Sequence, residues 1–229
     1  MEILLGIRDA LFLIMSFDRE LYGIIALSVA VSGAAVATAA IVGVPLGAVI
    51  ALHPFPGRRA VETLLYTFMG LPPVVAGLVI FLLLSRAGPL GFLDLLFTPA
   101  AMVLAQVVLA LPIITGLTMV AVSTEDVRVR ETAMTLGAGP GQVFWTVMRE
   151  ARRGIAGAVT AGLGRVMAEV GAVMLVGGNI AGHTRVMTTA IVLETQRGNF
   201  RLAIALGTIL LLLAFVANLL LHRLQGGAR

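Results

Sequence analysis

The chain has 229 residues, of which 59% are hydrophobic and only 12% charged, where soluble domains are about a quarter charged. A water-soluble domain and a disordered chain are both excluded. The formal net charge of +4 rests on arginine alone, because the chain has no lysine, and these arginines are spread along it. They form no stripe that could follow a phosphate backbone, so nucleic acid is not an expected partner. With no cysteine and three histidines far apart in sequence, neither a metal nor another cofactor is expected.

The first twenty residues form an N-terminal segment. Residues 3–17 are short for a crossing and carry Arg8 and Asp9 near their middle. They are expected to lie as an amphipathic interfacial helix, with a sixth crossing as the alternative. Glu2 precedes any cation, so the segment lacks the basic start of a secretory signal and is expected to stay in the mature protein. Residues 21–223 read as a transmembrane domain and 224–229 as a short tail.

Five apolar stretches suit membrane crossing, each near the ~20 residues that the hydrocarbon core requires. The first covers residues 22–52, with Pro45 expected to kink it without ending it. The second covers 63–85, where Pro72-Pro73 predicts a bend or break. The third lies within 95–124 and contains Pro99 and Pro112. The fourth, 155–176, is interrupted by Arg165 and Glu169, which a continuous helix would place on one face as a pair. Such a pair either packs the bundle or faces a water-filled path. The fifth, 202–221, carries no charged residue and ends at His222-Arg223.

An odd number of crossings puts the two ends on opposite sides. Nine arginines (58, 59, 128, 130, 149, 152, 153, 223 and 229) sort to one side and six (8, 19, 86, 185, 197 and 201) to the other. The positive-inside rule places the nine in the cytoplasm with the C-terminus, and the N-terminus outside. Runs of Gly and Ala, such as 32–35 and 154–158, offer small faces for close helix approach in lipid.

Residues 123–153 are the longest polar stretch. Ser123 or Thr124 can cap a helix with Glu125 and Asp126 in its first turn, running to about Leu136. The run from Gly137 to Gly141 suits a tight turn. A second helix follows, with Val143, Phe144, Val147 and Met148 largely on one side. Trp145 either anchors it at the headgroups or docks into a partner. The expectation is a cytoplasmic helix-turn-helix, against the plainer reading of a charged surface loop.

At this point the residues resemble a family. Glu131-Thr132-Ala133, then Gly137, then Val147 ten residues later, is similar to the cytoplasmic EAA loop of type I permeases of ABC importers. Thr132 stands where alanine is usual, Val147 where isoleucine is usual, and Arg149-Glu150 where Leu-Pro is common. The resemblance implies that Glu131, Ala133, Gly137 and Val147 couple the spans to a dimeric cytoplasmic ATPase. It also implies an all-α polytopic membrane protein of about five transmembrane helices, with an interfacial helix and a coupling helix-turn-helix, working as a homodimer.

A second stretch, from Gly164 through Arg165, Glu169 and Gly177-Gly178-Asn179 to Thr184-Arg185, Thr188-Thr189 and Glu194-Thr195, resembles tungstate permeases, which are close kin of molybdate and sulfate permeases. In its own terms, Asn179 closes a span and residues from Thr184 begin a short outer helix. Arg185 with the hydroxyls of Thr184, Thr188 and Thr189 offers donors for a tetrahedral oxyanion. Alternatively Arg185 anchors the loop at headgroups or pairs with Glu194. Arg165, Glu169, Asn179, Thr184, Arg185 and Thr188 are therefore the candidate translocation or oxyanion contacts. The resemblance further implies an external oxyanion-binding protein.

No GxxxxGK[ST] run is present and no lysine exists to hold a phosphate, so ATP hydrolysis is expected on a separate subunit. No catalytic residues are expected in this chain, since no activated nucleophile or carboxylate pair stands out. The rival reading is an ion-coupled carrier or channel without an ATPase, using Arg165 and Glu169 as a charge relay.

Overall fold

The computed structural model describes residues 18–124 and 127–226, with residues 5, 6, 8, 12, 14 and 15 before them. Most of the expected interfacial segment, the acidic pair Glu125-Asp126 and residues 227–229 of the tail lie outside the described residues. Every regular element among the described residues is helical.

Helix α1 spans Arg19–Leu52, and the Asp18 carboxylate caps it by accepting the Leu21 N–H at 2.8 Å. Its 34 residues outrun a hydrocarbon core of about 30 Å at about 1.5 Å per residue. Pro45 sits inside the helix without ending it, as expected. Helices α2 (Arg58–Met69) and α3 (Pro73–Leu84) form one bent unit with 99° between them. Pro72 is the cap residue of α3 and Pro73 its first residue, so the expected break falls where two backbone donors are missing.

Helix α4 (Pro99–Ser123) is the central span, capped by the Thr98 hydroxyl and running through Pro112. Helices α5 (Val127–Thr135) and α6 (Pro140–Glu150) make the expected helix-turn-helix. The Thr124 hydroxyl donates to the Ala121 carbonyl at 2.9 Å and so closes α4.

The fourth span departs from the continuous helix expected over 155–176. It breaks into α7 (Arg152–Met167) and α8 (Gly171–Gly177), bent by 59°. Helices α9 (Met187–Gln196) and α10 (Phe200–Gly226) complete the chain. Among the described residues three helices are long and apolar enough to cross a membrane alone, and the two bent pairs raise the number to as many as five.

Small residues let α1, α4 and α7 pack closely. Ala35, Ala39 and Ala110 are fully buried beside Ile114 and Val166. A second cluster joins α3, α4 and α8 through Ile80, Met102, Ala105, Val173 and Val176. Large side chains point outward instead, among them Ile41, Leu78, Leu82, Leu211 and Phe215. That inside-out distribution suits a lipid solvent, where contact between small faces drives helix association.

Candidate coupling surface and membrane-embedded polar groups

The helix-turn-helix owes its shape to a glycine. Gly137 adopts φ +82, a left-handed conformation that costs an L-residue about 1–2 kcal/mol. Its N–H donates to the Met134 carbonyl at 3.0 Å, and the Ala138 N–H reaches the Ala133 carbonyl at 3.0 Å. These two bonds form a Schellman motif, which satisfies carbonyls left open at the end of α5. Ala133 and Gly137 thus act together in one turn. The Gly139 N–H then donates to the Gln142 side chain at 2.9 Å, and Pro140 opens α6.

Two sides of this loop differ sharply. Val143 and Val147 are buried, and Val147 packs with Ala48, Val122, Ala151, Phe144 and Met148 against the ends of α1, α4 and α7. Arg130 ties α5 to the same place by donating to the Leu52 carbonyl at 3.3 Å. Facing away are Leu136 at 82% exposure and Trp145 at 71%. Trp145 is braced edge-on by Phe144, with ring centroids 5.9 Å apart. Glu131 is exposed and makes no hydrogen bond or ion pair with the described residues. Val147 is thus an inward anchor, while Glu131, Leu136 and Trp145 form the presented surface.

Arg165 and Glu169 do not pair, because α7 ends at Met167 and Glu169 leaves the helical register. The Arg165 guanidinium donates instead to the Leu71 carbonyl at 3.3 Å, in the gap between α2 and α3. Glu169 is buried at 4% exposure. Its carboxylate accepts the Ala172 N–H at 2.9 Å and so caps α8, while its carbonyl accepts the Thr188 hydroxyl at 2.9 Å. The two broken spans also meet directly, since a Cβ on Gly77 would lie 2.6 Å from the Ala172 Cα. Arg165 therefore fastens one break to the other, and Glu169 joins α7, α8 and the start of α9.

The threonines that sequence marked as oxyanion donors direct their hydroxyls into the protein. Thr184 donates to the Gly177 carbonyl at 2.5 Å, Thr188 to Glu169, and Thr189 to the Val186 carbonyl at 3.0 Å. Asn179 closes the turn after α8 with φ 52, and its Nδ2 donates to the Thr189 carbonyl at 3.5 Å. Arg185 pairs with Glu20 of α1 at 3.4 Å and not with Glu194, which holds Arg197 at 3.0 Å. The Arg185 Nε is buried without a hydrogen-bond partner. Its recess also contains Asp18, Glu194 and Arg197.

Sequence reading missed Gln106. Its side chain is buried at 3% exposure, with Nε2 donating to the Val166 carbonyl at 3.4 Å and Oε1 unpartnered. It shares a cavity of about 240 Å³ with Ser28, Ser32, Glu169 and Thr188. The available signal was the one amide in α4, whose other polar side chains are hydroxyls, a costly residue inside a span.

A bundle of broken and continuous spans that presents one helix-turn-helix beyond its end defines a class of membrane protein. The chain belongs to the binding-protein-dependent transport system inner membrane component family, the permeases of ABC importers, whose model matches residues 43–229. It is 44% identical over 220 residues to the tungstate uptake system permease protein TupB of Peptoclostridium acidaminophilum, covering 96% of each chain. It is 30% identical over 217 residues to the sulfate transport system permease protein CysW of Synechocystis sp., covering 91% of this chain and 78% of that one. Over 144 residues it is 30% identical to the molybdenum transport system permease protein ModB of Escherichia coli, with coverage of 59% and 63%.

Proposed function

We propose that this chain is the translocation subunit of an ATP-driven importer for a tetrahedral oxyanion, with tungstate as substrate ahead of molybdate and sulfate. Two copies enclose the pathway in the cell membrane, a dimeric ATPase engages their loops in the cytoplasm, and an external binding protein delivers the anion. The N-terminus lies outside and the C-terminus inside. The observation that carries this reading is the capped helix-turn-helix, which holds Glu131, Leu136 and Trp145 toward solvent while Val147 anchors it to three spans. The full-length similarity to a tungstate permease supplies the substrate.

In this reading Glu131 contacts the ATPase, Ala133 and Gly137 set the turn, and Val147 passes its movement to the spans. Arg165, joined to a backbone carbonyl and without a carboxylate partner, is the anion contact at membrane depth. Arg185 serves at the outer end, while Glu169, Asn179, Thr184 and Thr188 hold the frame around them. A carrier working without an ATPase would leave the presented loop without a task.

The test is uptake of labelled tungstate, molybdate and sulfate by proteoliposomes containing the chain, its ATPase and its binding protein. ATP-dependent accumulation led by tungstate is expected, with Glu131→Arg abolishing it in a protein that remains folded. Uptake that proceeds without ATPase, or is unchanged in Glu131→Arg, would overturn the assignment.

A further inference from the structure

The cavity around Gln106 and Glu169 has the chemistry of a second site. Its mouth lies between α1 and α10, which pack little on each other. Val29, Val216 and Leu220 line it there and are 50–58% exposed. At the bottom, Glu169 and Gln106 are more than nine-tenths buried. One end is therefore apolar and open at the outer surface of the helix bundle, and the other is polar and enclosed.

The polar end offers acceptors. One carboxylate oxygen of Glu169 takes the Ala172 N–H, leaving the other free. The Gln106 Oε1 has no partner, because its Nε2 is turned to Val166. Among the described residues no arginine or histidine lines the cavity, and Arg165 is engaged at Leu71. A buried carboxylate without an ion-pair partner is costly, and a donor cation would offset that cost. An oxyanion would meet the Glu169 carboxylate with no cation beside it among the described lining residues, so the cavity suits a cation better than the transported anion.

We infer that the crevice between α1, α7 and α10 binds a membrane-borne amphiphile with a primary ammonium head. The ammonium sits between the Glu169 carboxylate and the Gln106 Oε1, and the alkyl chain leaves past Val216 and Leu220 into lipid. A carboxylate or phosphate head is rejected at the same place. Because Glu169 also caps α8, a bound ammonium stiffens the bend between α7 and α8.

The experiment uses the full chain in lipid nanodiscs and an alkylamine carrying a diazirine near its chain end, with crosslinked peptides mapped by mass spectrometry. Saturable labelling is expected in α1 and α10 around the mouth. Dodecylamine should compete at a concentration about tenfold or more below dodecanol, and dodecanoate should not compete. Glu169→Gln keeps an oxygen to cap α8 and should weaken dodecylamine competition by about tenfold or more. Gly33→Trp is an independent test that leaves Glu169 in place. Gly33 lines the cavity with open space around it, so the indole should fill the mouth and remove the labelling. Labelling spread evenly over all lipid-facing helices, equal competition by dodecanoate, or native labelling in both variants would overturn the proposal.

Discussion

Replacing Gly137 by valine isolates the turn from everything around it. A Cβ at this position would meet nothing within 4 Å, so no side-chain clash contributes. The whole cost comes from holding an L-residue at φ +82, about 1–2 kcal/mol and somewhat more for a β-branched side chain. That energy divides the population of loops in the native turn by roughly 5–30. Gly137→Asn is the matched control, because asparagine tolerates the left-handed region. Uptake by the reconstituted complex and retention of the ATPase on immobilised permease should both fall in that range for Gly137→Val. Gly137→Asn should stay near native, and the thermal unfolding of the spans should be unchanged in both. Equal activity of the valine and asparagine variants would refute the argument that this backbone conformation shapes the partner surface.

Val147→Ala and Trp145→Ala should give opposite signatures. The first removes two buried methyl groups from the α6 anchor, worth about 1.5 kcal/mol, and should lower thermal stability in detergent. The second truncates an exposed ring, so stability should hold within about 0.5 kcal/mol while ATPase retention drops. Arg165→Gln keeps a donor for the Leu71 carbonyl but removes the charge; uptake kinetics should show a raised KM with unfolding unchanged, and a native KM would exclude Arg165 as an anion contact. Thr188→Val leaves the Glu169 carbonyl without its hydroxyl donor and should cost about 1–3 kcal/mol, read by thermal unfolding, with Thr188→Ser restoring it.

The crossings were legible because length and apolar composition are strong constraints in lipid. Pro72-Pro73 disclosed its break for a covalent reason, the missing donors. The break after Met167 has no such mark. It depends on a buried carboxylate closing α8, a tertiary arrangement that leaves no periodic trace in sequence. Expecting Arg165 and Glu169 to pair followed from assuming an unbroken helix; four residues of spacing mean little once the helix stops between them. Gly137 was readable as a turn residue, yet the pairing of its N–H with Met134 and of the Ala138 N–H with Ala133 is fixed only by the folded turn. Thr184, Thr188 and Thr189 could be named as donors from sequence, but a hydroxyl's direction is set by the carbonyls that broken helices expose nearby.

Between α6 and α7 stands a single residue, Ala151, buried at 1% exposure. Such a joint has almost no slack. A displacement applied at Trp145 must arrive in α7 as rotation of a stiff rod about 24 Å long, taking about 1.5 Å per residue over its sixteen residues. The rod ends at the bend held by Glu169, so under the proposed coupling the α7–α8 junction would be the fulcrum at which a push on the loop becomes a change of angle between the spans.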